Sequence, residues 1–468
     1  MREHRDSTSV ATAMPMPIGQ TVSIFVHFDH PLLQLHRALD WQAIREVMSQ
    51  HWRINGKNLD CGPGQPWPVC LYMPLLVLKL VKHLHARQME EYLRENVVAR
   101  LFVGCHQDTT AAIRDHASIA RAEAALGAQG LAEINQLIVK ESVRLGFGDP
   151  QMLSADTTAQ ELPIGYPNEP GILKGLSQRC LRALLKLKKK GVSYVKQASE
   201  QAKQLIKSVK EYHLFAKTKQ QKDNLLKRML TKTEELIKKT TEVTRRVRTR
   251  SQRVKQQSVE KLRQMKEVAS RLIPQIRYWM KTSKVARGKI LHSGITQAKA
   301  IVRKKVGKKV EFGLPYLINQ IGGGFVFGEM LEKSPNEAQM PMESLRLYRE
   351  IFGEKASPSL LTYDRGGGSK DTRKKLKKEG VEKVGIPPRG KARWRVCEAD
   401  RREVMSERGK MEGSIGTLKS EAYHFNRPKE RGWEALKMAG QRSFASLNLN
   451  RLMKSLVESA KEQKKALV

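Results

Sequence analysis

The feature that most constrains the fold is a long, strongly basic segment in the middle of the chain. Residues 174–309 contain 40 Lys and Arg but only 8 Asp and Glu, and residues 192–273 contain neither Gly nor Pro. Apolar residues recur at spacings of three and four, as at Met265, Val268 and Leu272. This spacing is typical of one buried helical face. We therefore expect two or more long helices that fold back on one another, as in an antiparallel hairpin.

The charge of this segment indicates the kind of partner. The 468-residue chain has a formal net charge of +39, and the basic segment contributes +32 of it. Metabolic enzymes of small molecules do not need such a field, whereas a polyanion explains it, because neutralised phosphates release counterions. We predict a DNA-binding arm; a solvated coiled coil that only mediates dimerisation is the alternative. The predicted DNA-contacting side chains are Arg245, Arg246, Arg248 and Arg250.

Cysteine usage and hydropathy limit the compartment. Five cysteines are too few and too scattered for a disulfide framework, and none forms the CxxC pair of a zinc site. The N-terminal sequence MREHRDSTSV lacks the apolar core of a signal peptide, and apolar runs such as Met73–Leu78 are too short to span a bilayer. We expect a cytoplasmic protein with free thiols and no membrane partner.

Two apolar strand patterns each end in an acidic residue. The first is Met152–Asp156, followed by Thr157 and Thr158, and the second is Ser359–Asp364, followed by a glycine turn. A single acid at a strand end is usually turn chemistry. Residues 310–328, however, predict a β-hairpin between the two strands. If the two strands pair in parallel, both acids lie at the same sheet edge, where open α/β sheets place their sites.

A third acid lies in a predicted helix near the C-terminal end, Glu407–Ser420. Arg408, Glu412 and Lys419 fall at i, i+4 and i+11, within a narrow arc of one face. Three glycines, each about 1 kcal/mol less favourable than alanine, are expected to interrupt this helix but would let a nucleic-acid backbone come close. They are Gly409, Gly413 and Gly416. The alternative is a solvated, poorly formed helix with an incidental salt bridge.

Together, the three acids predict a metal site. Clustered carboxylates repel one another unless hard cations lie between them. Two Mg²⁺ ions, for which Mn²⁺ can substitute, would be held by Asp156, Asp364 and Glu412 and would support an in-line phosphoryl displacement. Arg408 and Lys419 would then contact DNA phosphates, while Thr157 and Thr158 would either help to position the first acid or contact phosphate themselves.

These motifs resemble those of DDE-type bacterial insertion-sequence transposases. The family has a first Asp followed by small hydroxyl residues, as in SADTT, and a second Asp after an apolar strand, as in LLTYDRG. Its third acid lies in the signature Tyr-x2-Arg-x3-Glu-x6-Lys, which Arg408, Glu412 and Lys419 match in spacing. Met405 stands where the family has Tyr. The flanking sequences DHPLLQLHRALDW, RQMEEYLREN and SFASLNLNRLMK also resemble the family.

The resemblance implies an α/β (α+β) fold, with an RNase-H-like mixed-sheet catalytic core, an N-terminal all-helical domain and a long basic helical insertion. The predicted segments are a flexible lead (1–24), a helical DNA-binding or dimerisation domain (25–150), the first part of the core (151–173), the basic insertion (174–295), the second part of the core (296–445) and a helical tail (446–468).

The resemblance also implies a function. A transposase of this kind cleaves DNA at the terminal inverted repeats of its element and joins the freed 3′-hydroxyl to target DNA, as a homodimer in the DNA complex. Such a protein would be associated with the nucleoid. The alternative is a catalytically inactive, basic nucleic-acid-binding protein derived from a transposase.

Overall fold

The computed structural model describes residues 10–15, 21–27, 29–56, 69–104, 115–249, 252–302, 310–332, 335–388, 394, 396–430 and 432–466. The chain divides into two compact units. Unit 1 contains residues 1–161 and 315–468, and unit 2 contains residues 162–314. As expected, the fold is mixed α/β, with long helices and a mixed six-stranded sheet.

Unit 1 begins with two strands inside the segment predicted as a flexible lead. β1 (Val10–Pro15) pairs antiparallel with β2 (Thr21–Val26), in which β-branched and aromatic residues favour a strand. Six helices follow where the apolar spacing predicts a helical domain. They are α1 (Pro31–Ala38), α2 (Trp41–Ile54), α3 (Val69–Val81), α4 (Ala86–Glu95), α5 (Val97–Val103) and α6 (His116–Arg144). Gly127, with φ 72°, introduces a kink in α6.

The sheet of unit 1 is built around a long central strand. Its strands are β3 (Asp149–Glu161), β5 (Val310–Gly322), β6 (Val326–Met330), β7 (Leu360–Thr362) and β8 (Lys383–Gly385). The order is β5-β3-β7-β8, and β6 pairs with β5 as the predicted antiparallel hairpin. β3 pairs in parallel with β7, and β7 pairs in parallel with β8. The first residues of β5, in unit 2, pair with β4 (Lys299–Val302).

Four further helices complete unit 1. They are α11 (Met340–Phe352), α12 (Lys370–Lys378), α13 (Glu398–Leu418) and α14 (Trp433–Ala466). Much of α14, which includes the predicted helical tail, is buried because it packs against α6, α3 and β6. Asn448 of α14 accepts a hydrogen bond from the backbone N–H of Val326 (2.8 Å) and donates one to its carbonyl (2.7 Å).

A buried ionic cluster joins the N-terminal helices to α14. The Lys79 ammonium on α3 donates to Glu123 on α6 (2.9 Å), and Arg442 on α14 donates to the same carboxylate oxygen (2.9 Å). Arg442 also pairs with Glu430. Burial lowers the pKa of Lys79, an effect that the charge of Glu123 opposes. The cluster therefore fastens three helices together through charges that are shielded from water.

Unit 2 contains a helical bundle with its own core. Its helices are α7 (Glu169–Lys189), α8 (Lys196–Phe215), α9 (Lys219–Arg246) and α10 (Arg253–Thr282). Each packs against the next, and α10 packs against α7, so that four long helices form where the sequence predicts two or more. Buried apolar residues face the bundle interior and leave the cations outside.

Across the part of the chain that the structure describes, no single helix combines the length and the apolar composition that a membrane span requires. α3 and α4 meet the criterion only when they are taken together as a pair bent by 100°.

Candidate functional site

The first two predicted acids lie on or just after two neighbouring parallel strands. Asp156 is inside β3, which continues to Glu161 and so does not end at this acid as predicted, and Asp364 lies two residues after the end of β7. β3 and β7 pair in parallel, with Ser154 opposite Thr362, and the hydroxyls of these two residues are hydrogen-bonded (2.9 Å). Because the side-chain period of a strand is two, extending the register by two residues sets Asp156 opposite Asp364 on the same face. The parallel pairing that the sequence predicts is therefore observed, although the two acids are 208 residues apart.

The third acid lies on α13, which packs against β3 and β7. This helix continues through all three glycines, so the predicted interruption is wrong. Buried Val404, Met411 and Leu418 anchor it on one side. Packing of an apolar face is the main source of helix stability in proteins, and here it outweighs the low helix propensity of glycine.

A close approach of backbones sets the position of α13. A Cβ atom on Gly385 of β8 would lie 2.8 Å from Val404 of α13 and 3.1 Å from the Thr362 methyl group. Only glycine fits between this helix and the strand ends. The contact also shows that α13 covers the face of β7 that carries Thr362, which is the face expected for Asp156 and Asp364.

Arg408 connects the helix to the second acid. Its guanidinium nitrogen Nη2 lies 3.1 Å from Asp364 Oδ1. The prediction assigned Arg408 to DNA phosphates, whereas in this structure it neutralises a strand-end carboxylate. Glu412 follows one helical turn later and is exposed, and Lys419 caps the C-terminal end of α13. A positive charge thus lies against one of the three carboxylates predicted to bind metal.

The donor chemistry of this edge suits a hard cation. Asp156 is partly buried, Asp364 and Glu412 are exposed, and all three offer carboxylate oxygens, the ligands that Mg²⁺ prefers. The guanidinium against Asp364 shows that this edge accommodates a cation. Within the described ranges, however, no group of three or more His, Cys, Asp or Glu side chains is close enough to hold a metal ion.

The two threonines after the first acid have different environments. The backbone N–H of Thr157 donates to Asp156 Oδ1 (2.8 Å), and its hydroxyl donates to Glu337 Oε1 (2.9 Å). Thr158 is buried. Thr157 therefore fixes one oxygen of Asp156 through its backbone N–H, and its positioning role in a reaction stays a prediction.

Glu337 is a residue of this site that the sequence analysis missed. Its second carboxylate oxygen accepts a hydrogen bond from the Tyr363 hydroxyl (2.6 Å). Burial raises the pKa of Tyr363, and the charge of Glu337 raises it further, so Tyr363 is a hydrogen-bond donor at neutral pH. Glu337 lies between β6 and α11, outside any strand or helix pattern, and no sequence signal connected it to the two acids.

The predicted cationic contacts lie in unit 2. Arg245 and Arg246 form the last turn of α9 and are exposed, as is Arg248. Arg250 lies outside the described residues. On α8 four exposed lysines fall within about 60° of one helical face at 100° per residue. They are Lys196, Lys203, Lys207 and Lys210.

The described fold and site can be compared with known proteins. Residues 21–124 match a family model described as a transposase domain (DUF772). This segment runs from β2 into α6 and covers less than a quarter of the chain. No curated protein and no solved structure matches the chain. The N-terminal segment is therefore similar to a transposase domain, which supports a DNA-processing function.

Proposed function

We propose that this protein is a DNA transposase of the DDE type, with an RNase-H-like core that cleaves and transfers DNA strands in a metal-dependent reaction. The observation that carries the proposal is the parallel pairing of β3 and β7 through Ser154 and Thr362, two residues before Asp156 and Asp364, with α13 packed against both strands. The transposase-domain match at residues 21–124 supports the same class of function from a separate part of the chain.

In this mechanism the three carboxylates, Asp156, Asp364 and Glu412, would hold two Mg²⁺ ions, with Mn²⁺ as a substitute. The bound metal ions would activate the attacking oxygen and stabilise the leaving oxygen of an in-line displacement. Thr157 keeps one oxygen of Asp156 oriented through its backbone N–H. Arg408 pairs with Asp364 in this structure. From this place beside the carboxylates, its guanidinium would bind a phosphate oxygen of the scissile strand.

The DNA would lie along two basic surfaces. At the acid-bearing edge, the open glycine face of α13 lets the backbone approach, and Lys419 supplies a further cation. In unit 2, the exposed arginines of α9 and the lysine row of α8 would hold flanking duplex through phosphate contacts. The substrates are the terminal inverted repeats of the protein's own element and a target duplex, bound by a homodimer.

The direct test is strand cleavage of a duplex that carries the ends of the element. Wild-type protein and Glu412→Ala are incubated with Mg²⁺, with Mn²⁺ and with a chelator, and nicked products are resolved on a denaturing gel. We expect metal-dependent nicking by the wild type alone. Equal DNA binding without cleavage by either protein, where a related transposase cuts, would contradict the proposal.

The alternative is a binding-only protein derived from a transposase. It is favoured by one observation, because the charge is concentrated in a bundle with its own hydrophobic core, separate from the unit that carries the acids. In that protein the basic bundle would carry the whole function, and substitution of Asp156, Asp364 or Glu412 would change nothing measurable.

Neutralising Arg245, Arg246 and Arg248 together is expected to weaken DNA binding on any sequence. Each lost phosphate contact should reduce the slope of log K against log salt concentration by about 1, up to about 3 in total. Fluorescence anisotropy at several salt concentrations measures this slope. Arg277→Ala is the matched control, because Arg277 already pairs with Glu234 (2.6 Å) within the bundle. An unchanged slope in the triple variant would exclude these arginines from the DNA surface.

Replacing Gly409, Gly413 and Gly416 by alanine is expected to stabilise the protein while slowing cleavage. A Cβ atom at each position would have no described neighbour within 4 Å, so the variants fit without strain. Each should gain about 1 kcal/mol of helix stability, read from urea unfolding. Cleavage should fall because the added methyl groups lie where the DNA backbone approaches. A stabilised variant that cuts at the wild-type rate would show that DNA does not use this face.

A further inference from the structure

We propose that Glu337 is a positioning residue that holds the two acid-bearing strands in register next to Asp156 and Asp364, from the opposite face of the sheet. The inference rests on the proposed function, because it assigns a purpose to Glu337 only if Asp156 and Asp364 act together. Its basis is a set of contacts between Glu337 and the immediate sequence neighbours of these two acids.

Glu337 bridges β3 and the end of β7 through both of its carboxylate oxygens. Oε1 accepts from the Thr157 hydroxyl (2.9 Å), and Oε2 accepts from the Tyr363 hydroxyl (2.6 Å). Thr157 directly follows Asp156, and Tyr363 directly precedes Asp364. An ionised carboxylate strengthens both hydrogen bonds. A single side chain therefore fixes the two strands within one residue of each acid.

The alternation of side chains separates Glu337 from the metal position. Thr157 and Tyr363 are each one residue away from an acid. Because side chains alternate along a strand, they point to the face opposite Asp156 and Asp364. α13 covers the face that carries Thr362, as the Gly385 contact shows. Glu337 therefore acts on the two acids through the strands and does not contact the substrate side.

The glycine turn after Asp364 closes over this bridge. A Cβ atom on Gly366 would lie 3.2 Å from Glu337 Cβ, and one on Gly367 would lie 2.5 Å from the Tyr363 ring. The next residue after Glu337 is also tied down, since the carbonyl of Ala338 accepts from the Thr372 hydroxyl (2.9 Å). The glycine run thus gives space to Tyr363 and Glu337, and the turn that carries Asp364 is shaped around them.

Two variants test the bridge. Glu337→Ala removes both acceptors, and the double variant Thr157→Val/Tyr363→Phe removes both donors with little change of volume. If Glu337→Ala fails to fold, the double variant still tests the bridge. Mn²⁺ binding is followed by electron paramagnetic resonance, nicking by gel, and unfolding by differential scanning calorimetry. Glu379→Ala is the matched control, because it breaks the Arg349–Glu379 ion pair (2.7 Å) between α11 and α12, away from the acids.

We expect both bridge variants to weaken Mn²⁺ binding and nicking by about 10- to 100-fold, the usual effect of losing a residue that orients metal ligands. Duplex affinity should not change. Glu379→Ala should lower the melting temperature and leave Mn²⁺ binding intact. If Glu337 had a purely structural role, its variants would behave in the same way.

Three results would overturn the inference. Wild-type Mn²⁺ affinity in both bridge variants would show that Glu337 does not position the acids. Loss in Glu337→Ala with full affinity in the double variant would make Glu337 a ligand instead. Absence of both Mn²⁺ binding and nicking in the wild type would overturn the proposed function itself, and this inference with it.

Discussion

Replacing Asp156, Asp364 or Glu412 singly with alanine is expected to abolish strand cleavage and to leave DNA binding nearly unchanged. Each acid would supply ligands to metal ions that stabilise charge in the transition state, and losing one such stabilising group commonly costs about a hundred- to a thousandfold in rate. Most of the predicted binding surface lies elsewhere, in the basic bundle of unit 2. Nicking rates and duplex affinities measured on the same preparations separate the two effects.

The control for this prediction lies on the same helix as Glu412. Glu403 is on α13 and pairs with Lys383 at 3.1 Å, a surface contact of the kind that contributes little to stability. Glu403→Ala should therefore cleave at the wild-type rate. Wild-type nicking by all three alanine variants of the predicted acids would remove them from the mechanism.

Asp364→Ala differs from the other two in one respect. It also frees Arg408, whose guanidinium is 3.1 Å from Asp364 in this structure. An unpaired arginine beside the DNA path should increase duplex affinity slightly, which Asp156→Ala should not do. Comparing the two variants in one binding titration tests whether Arg408 exchanges between the acid and phosphate.

The second large effect is expected on stability, from Glu123→Ala. Removing this carboxylate leaves the buried Lys79 and Arg442 without their shared partner. Breaking a buried ion pair on one side destabilises proteins by about 3–5 kcal/mol. The free energy of unfolding, from urea denaturation, should fall by that amount. Glu458→Ala on α14 is the control, since its pair with Lys454 (3.7 Å) is exposed and should cost about 1 kcal/mol or less. Equal effects of the two variants would contradict the prediction.

The same cluster predicts a pH dependence. Burial by itself raises the pKa of Glu123, but Lys79 and Arg442 outweigh it and hold the pKa at about 2, below its ordinary value of 4.5. A carboxyl group whose pKa is lowered by folding stabilises the native state above its unfolded pKa, and this stabilisation is lost as the pH falls towards the folded pKa. The stability difference between wild type and Glu123→Gln should therefore be complete above about pH 5 and shrink from there down to about pH 2. A constant difference would contradict this assignment.

Much of this architecture could be predicted from local sequence patterns. Apolar residues at a period of two predict the hairpin of β5 and β6 and both acid-bearing strands. A period of between three and four residues predicts the helices of the basic segment. These periods describe which side chains share a face, and neighbours along the chain suffice to determine them. The strand at Thr21–Val26 was not predicted, because a short run of β-branched residues next to a Pro-rich segment is only a weak indication of a strand.

The helix that carries Glu412 shows where local reasoning fails. Three glycines predict an interrupted helix, but α13 is continuous because Val404, Met411 and Leu418 pack against the rest of unit 1. Propensity differences of about 1 kcal/mol per residue are smaller than the free energy of burying such side chains. Only the tertiary contact decides which of the two effects wins.

The sequence by itself determined the elements of the site and their chemistry: an acid on or just after each of two strands, and an acid between two cations on a helix face. The tertiary structure alone decided how these elements meet. It set the register of β3 against β7, directed Arg408 to Asp364, and brought Glu337 to Thr157 and Tyr363. The physical reason is distance along the chain, because contacts between residues 26 to 208 positions apart depend on packing that no local period encodes.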